Sequence, residues 1–421
     1  MRNPLIQDST HVVTYDPDQQ LYVKTIENSS TLTLEFLANR LMEEMVTVVN
    51  TDQKRSLRSP SPCQGTMDKL RTRDIKDPGV DYEPSSSRAP DEATQCYLVR
   101  AMILRQLLQD ADAYDHNYEI PSPSGSPSSN SQQAQSTTVS PHILSLDFGY
   151  AFYTLTSKHQ GSESLDNEHL DATPSRVLYE HFLNPESKEA LLVSLIFNRP
   201  DTSTEFRDNH SILQQSGIIN SQSLEGKKRI FTELLFTLNQ LKALKPESFN
   251  GCREDAVENF SNAKSPNSIT SEDMQKLTEL VDNAMVLFSN RLTLAHSLIK
   301  DQQLDFDVDK FKEIYIAWSI DYVSKKEATE EDKANRENEI GNIEKEAEDW
   351  INAFQQVHEA RNDVRFLEQE STTGDDKPGS CKETPPSSSL LFRSLSTENL
   401  SNPAGDESPT NSKQYVRSIR P

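Results

Sequence analysis

The sequence predicts an α+β chain whose strands gather near the start and whose second half is mainly helical. Three observations carry this. Apolar and polar residues alternate in THVVTYD (10–16) and LYVKTIE (21–27), and a short apolar run, HILSL (142–146), stands between polar stretches. From residue 177 onward, long segments space their apolar residues at three and four.

Taken in order, the two alternating runs are joined by DPDQQ, so residues 10–27 read as a β-hairpin. SSTLTLEFLANRLMEEMVTVV follows with Ser/Thr capping candidates and apolar residues at Leu34, Leu37, Leu41 and Met45, a helix. Residues 1–50 thus form a small hairpin-plus-helix lobe. Residues 51–92 turn to Arg, Ser, Pro and Asp, lose the apolar period and read as a flexible linker. Tyr97, Ala101, Leu104 and Leu108 mark one face of the next helix, Tyr118–Ile120 a short strand, and HILSL a second strand ending at Asp147. Between those strands the low-complexity residues 121–141 read as a disordered insert.

Helices are predicted over 177–183, 188–197, 228–244, 272–299 and 308–323, completing a larger lobe over 93–325. Residues 326–370 read as a long, charged, solvated helix, and the Ser/Thr/Pro-rich residues 371–421 as a disordered tail.

Composition bounds the function. The 421-residue chain is 34% hydrophobic, below the about 45–50% of a typical globular chain, so part of it lies outside a core. Its net charge of −23, from 66 acidic and 43 basic residues, argues against a nucleic-acid binder, which gains affinity by neutralising phosphates. Cys63, Cys96, Cys252 and Cys381 are too widely spaced for a zinc site and read as free thiols. MRNPLIQDST lacks a secretory apolar core, and no run approaches the roughly 20 apolar residues of a membrane span.

One set of residues points to chemistry. Phosphoryl transfer needs a carboxylate at the attacking hydroxyl, oxygen ligands on Mg²⁺, and a lysine on the nucleotide phosphates held by a glutamate. In protein kinases the catalytic Asp precedes a metal-binding Asn by five positions, and a second metal Asp opens an Asp-Phe-Gly turn. Here Asp112 precedes Asn117 by five, and Asp147-Phe148-Gly149 follows the strand HILSL. Upstream, Lys24 ends a Tyr-Val-Lys strand and Glu35 sits on the next helix. The order of these segments matches a reduced protein-kinase-like fold.

At these residues the chain resembles the amino-terminal kinase-like domain of LepB-type effectors of Legionella and Coxiella, distant relatives of the phosphoinositide and protein kinases. Leu107-Leu108-Gln109-Asp110-Ala111-Asp112-Ala113-Tyr114-Asp115-His116-Asn117 is similar to the family's loop, and Glu35-Phe36-Leu37-Ala38-Asn39-Arg40-Leu41 to its helix. The resemblance covers roughly residues 10–200. It implies that Lys24 binds ATP phosphate, Glu35 orients Lys24, Asp112 positions or deprotonates the acceptor hydroxyl, and Asn117 with Asp147 holds Mg²⁺. It further implies type IV secretion without a cleaved signal, and work in the host cytoplasm, at or near a vacuole membrane. The chain departs from the family at Gln109, where the loop has glycine, and at Tyr114, where it has histidine. No glycine precedes Gly65, so a glycine-rich phosphate loop is missing.

Two readings stay open at this stage. One is a Mg²⁺- and ATP-dependent phosphotransferase acting on a host lipid head group or a host protein, with peripheral membrane contact. The other is a degenerate pseudokinase or helical scaffold. Phosphoinositide recognition would need a basic surface beside the site, and Lys54, Arg55, Arg58, Lys69, Arg71 and Arg73 are its candidates.

Overall fold

Strand β2 (Val12–Asp16) turns into β3 (Leu21–Thr25) at the DPDQQ break because Asp16 Oδ1 accepts from the amides of Asp18 and Gln19 at 3.0 and 3.1 Å. The computed structural model describes residues 5–7, 12–25, 29–50, 57–66, 69–77, 80–85, 92–110, 117–122, 142–149, 151–152, 154–155, 185–196, 223–261, 270–325 and 341–361. All of them belong to the unit Met1–Asp363, the second unit being Val364–Pro421. Helices and small sheets are mixed, as expected of an α+β chain.

The hairpin is part of a larger sheet. β1 (Leu5–Gln7) pairs antiparallel with β2, and β5 (Pro62–Thr66) and β6 (Lys69–Arg73) complete a five-stranded antiparallel sheet in the order β1-β2-β3-β6-β5. A second sheet, in the order β4-β9-β8-β7, joins β4 (Leu57–Arg58), β7 (Tyr82–Pro84), β8 (Tyr118–Pro121) and β9 (Ile143–Ser145). The expected linker at 51–92 therefore holds four strands. A small lobe of one hairpin and one helix understates the sheet. β6 carries a single buried apolar residue, Leu70, and its strand conformation is set by the backbone bonds that β3 offers rather than by an apolar period.

Helix α1 (Ser29–Val49) packs against β4, β5 and β6 on one side and the helical lobe on the other, so apolar residues almost all round it are buried. At its end the Asn50 side chain bonds both backbone groups of Leu57, at 2.7 and 2.9 Å, which closes the connection and starts β4. β4 then runs parallel to β9, the strand that leads to Asp147.

Helices α2 (Glu92–Leu107), α3 (Lys188–Ile196), α4 (Leu224–Leu241), α5 (Asn250–Ser261), α6 (Ser271–Ser297) and α7 (Val308–Lys325) follow, with a short hairpin, β10 (Ile299–Lys300) and β11 (Gln303–Leu304), between α6 and α7. Ser223 caps α4 at 3.0 Å, and Thr270 with Asp273 forms a capping box on α6. Helix α8, at 341–361, is less solvated than its charge suggests. Ile343, Ala347, Trp350, Ile351 and Val357 are buried, and Phe231 meets Trp350 edge-on at 5.7 Å. Charged residues dominate its composition and mask a sparse apolar stripe of helical period.

The expected helix at 177–183, most of the insert, residues 326–340 and the tail lie outside the described residues. No helix among the described residues is long and apolar enough to cross a membrane.

Candidate active site

Three of the residues singled out in the sequence meet at one point. Lys24 on β3 is paired in register with Leu70 on β6, so both side chains face α1, and both are buried. Glu35, one turn and a half into α1, points back at the sheet. Lys24 Nζ donates to Glu35 Oε1 at 3.1 Å and to Asp147 Oδ1 at 2.8 Å. The side chains of Lys24 and Glu35 are 10% and 3% exposed and that of Asp147 32%, so the cluster opens to solvent at Asp147.

β8 and β9 bring Asn117 to the same place. Tyr118 is opposite Ser145 in their antiparallel register, and the Leu146 amide donates to the Asn117 carbonyl at 2.8 Å. Asn117, which enters β8, and Asp147, which leaves β9, are therefore at one end of one strand pair. Asn117 is buried. Asp112 lies outside the described residues, as do Tyr114 and His116.

The backbone at Asp147 is unusual. Its φ of 52° is in the left-handed region, which costs a non-glycine residue about 1–2 kcal/mol. Strain of this kind collects at functional sites. Gly149 shows how closely the turn is packed, since its amide donates to Asp147 Oδ1 at 3.1 Å. A Cβ at Gly149 would lie 3.2 Å from that oxygen and 3.3 Å from Lys24 Nζ. Phe148 between them is fully buried.

Electrostatically, one ammonium serves two carboxylates. Burial works against the charge of Lys24, but Glu35 and Asp147 outweigh it and hold Lys24 above the ordinary lysine range. Glu35 is pushed up to about 7, first by burial, with Lys24 pulling it down and the Asp147 charge adding to the rise. Asp147, the member of the cluster that is open to solvent, is where a cation would meet a carboxylate. Mg²⁺ is commonly held by one or two carboxylates together with water and phosphate oxygens. Asn117 and Asp147 supply oxygens of the right kind, although no group of three or more His, Cys, Asp or Glu among the described residues could hold a metal.

Other residues at and near the cluster were not singled out in the sequence. Arg105 on α2 and Asp110 after it are fully buried beneath the turn at Asp147. The available signal was a charge set among the apolar positions Ala101, Leu104 and Leu108. Tyr22, two positions before Lys24 on the same face of β3, packs against Tyr15 with ring centroids 4.9 Å apart.

The described members of the basic cluster do not gather on the face of the sheet that carries Lys24. Alternation along β6 puts Lys69, Arg71 and Arg73 on the face opposite Leu70, and so opposite Lys24. Arg58 is tied to Asp77 at 3.0 Å and to the Ile75 carbonyl at 3.0 Å. Lys54 and Arg55 lie outside the described residues.

No protein-family model, no curated protein and no solved structure matches this chain.

Proposed function

We propose that the chain is a kinase-like phosphotransferase that moves the γ-phosphoryl group of Mg²⁺-bound ATP to a hydroxyl of a host lipid head group or host protein. The observation that carries this is the contact of one strand lysine with a helix glutamate and with the aspartate of an Asp-Phe-Gly turn, at 3.1 and 2.8 Å. In kinases the lysine is on the third strand, and its pairing with the helix glutamate must coexist with metal on the turn aspartate. Lys24 is on the third strand of its sheet.

The roles follow from position. Asp147 and Asn117 would hold the cation, which would neutralise charge developing on the phosphate oxygens. Lys24, released from Asp147, turns to the phosphates while Glu35 keeps hold of its ammonium. Tyr22 with Tyr15 offers an aromatic surface to a planar base. Asp112, five positions before Asn117, accepts the proton of the acceptor hydroxyl. The resemblance to secreted effectors adds delivery into the host cytoplasm without a cleaved signal.

Incubation of the full chain with γ-labelled ATP and Mg²⁺, against phosphoinositide vesicles and host-cell lysate, tests the proposal and separates lipid from protein acceptors. Transfer that disappears in Asp147→Asn and Asp112→Asn is the expected result. Undiminished transfer in both variants overturns these roles.

A second reading, a silent relative that serves as a scaffold, is favoured by one observation: the ammonium of Lys24 already engages the Asp147 oxygen that a cation would use. It predicts no gain in thermal stability with Mg²⁺ and ATP, whereas a ligand of the native state must raise stability by mass action.

A further inference from the structure

We infer that Arg105 is the positioning residue of this site, coupling the turn after α2 to the turn after β9 and thereby setting the backbone of Asp147. The inference rests on the phosphotransferase reading for its purpose, though not for its geometry.

The Arg105 side chain is 0% exposed, on a helix whose other buried side chains are apolar or small over the same stretch. A buried guanidinium is costly unless its charge and its donors are all engaged. Here the charge is matched by Asp110, whose Oδ2 is 2.5 Å from Nη2. The two terminal nitrogens donate to the segment that carries Asp147. Nη1 donates to the Leu146 carbonyl at 2.5 Å and reaches Ser145 Oγ at 3.4 Å, and Nη2 donates to the carbonyl of Asp147 itself at 2.7 Å. The guanidinium carbon lies 4.6 Å from the Phe148 ring centroid and 5.4 Å from that of Tyr118.

Two strained residues flank this one group. Gln109, next to Asp110, has φ 52°, and Asp147 also has φ 52°. A left-handed backbone costs free energy at any non-glycine residue, so contacts that hold the two turns matter at both positions. Arg105 touches the neighbour of the first and the carbonyl of the second, and its planar fork spans a carboxylate and two successive carbonyls at once. A lysine ammonium is a point donor on a flexible stem and cannot span them or lie flat between two rings. The turn at 108–110 after α2 and the turn that offers Asp147 are thus fastened to one rigid group.

The test uses the full chain with Arg105→Lys, which keeps the charge, and Leu104→Ala as a control that loosens α2 without touching the fork. Hydrogen exchange is followed in peptides covering 143–149 and 108–117, with α6 as an internal reference. In Arg105→Lys both turns exchange faster while α6 does not; in Leu104→Ala the two turns are not singled out. In parallel, Mn²⁺ binding in the presence of ATP is read by electron paramagnetic resonance. Arg105→Lys weakens it about 10–100-fold, the usual effect of removing a group that orients a metal ligand. Exchange that rises evenly over the whole chain, rises in one turn alone or does not change overturns the coupling. Wild-type protein that binds no Mn²⁺ with ATP removes the phosphotransferase reading, while the exchange result still decides whether Arg105 couples the turns. If Arg105→Lys fails to fold, Asp110→Asn, which removes the opposing charge and keeps the shape, must loosen the same two turns.

Discussion

Glu35 gives one carboxylate oxygen to Lys24 at 3.1 Å and keeps the other, Oε2, buried with no hydrogen-bond partner among the described residues. That asymmetry is why burial raises its affinity for a proton despite the adjacent ammonium. With a folded pKa near 7 against about 4.5 for the free side chain, the folded state binds the proton more tightly than the unfolded state. The stability from this group is therefore fully present below about pH 4.5 and is lost as pH rises through 7. Urea midpoints at pH 5 and pH 8 for wild type and Glu35→Gln will show it: wild type loses stability relative to the variant as pH rises. A relative gain would mean that Lys24 governs Glu35 and burial does not.

Removing Lys24 leaves two carboxylates facing each other in a largely buried space. Lys24→Met is expected to destabilise the fold by about 3 kcal/mol, the low end for breaking a buried pair, because Asp147 is partly open to water. Adding Glu35→Gln replaces the side chain that has lost its partner, so the double variant will be more stable than the sum of the two single changes implies. Chemical denaturation of all four proteins measures this coupling; strict additivity would show that the two side chains do not share a cluster.

Lys24, Glu35, Asn117 and Asp147 were legible because each is tied to a local signal: a strand end, a helix start, or a turn after an apolar strand. The strands between 57 and 84 were not. In KLRTR only Leu70 carries an apolar signal, and the strand exists because β3 presents a free row of backbone groups to it. Helix α5 was missed for a related reason, since its buried stripe consists of Cys252, Ala256 and Asn259, which read as small or polar. Arg105 was overlooked because a charge in an apolar stripe is easily assigned to a solvated edge. Its carbonyl partners, Leu146 and Asp147, are 41 and 42 residues away in the chain. Long-range pairing of this kind leaves no mark on the local period.

Gly149 is constrained by what a side chain would strike. Alanine there would press a methyl group against Asp147 Oδ1 and Lys24 Nζ, at 3.2 and 3.3 Å. Both are side-chain atoms that need shift by only a few tenths of an ångström, so a modest loss of stability, about 1 kcal/mol, is expected. On the proposed phosphotransfer reading the effect on rate is larger, since a small misplacement of reacting groups costs about 10²-fold. Comparison of melting temperature with the rate of ATP-dependent phosphoryl transfer in Gly149→Ala separates the two. A rate that falls no more than stability accounts for would mean that the turn tolerates the methyl group.

The end of α2 isolates the cost of backbone strain. The amide of Gln109 donates to the Gln106 carbonyl at 3.1 Å and that of Asp110 to the Arg105 carbonyl at 3.2 Å, the bonding of a Schellman helix end with Gln109 at its left-handed position. Glycine is usual there because it has no Cβ to clash. Gln109 compensates in part by accepting from Thr154 Oγ1 at 3.0 Å through its side-chain oxygen. Gln109→Ala and Gln109→Gly both delete that bond and differ mainly in the strain at φ 52°. Gln109→Gly is therefore expected to be more stable than Gln109→Ala by about 1 kcal/mol, read as a shift in denaturant midpoint. Equal stabilities would mean that the left-handed turn is not populated in solution, and with it the geometry that sets Asp110 under Arg105.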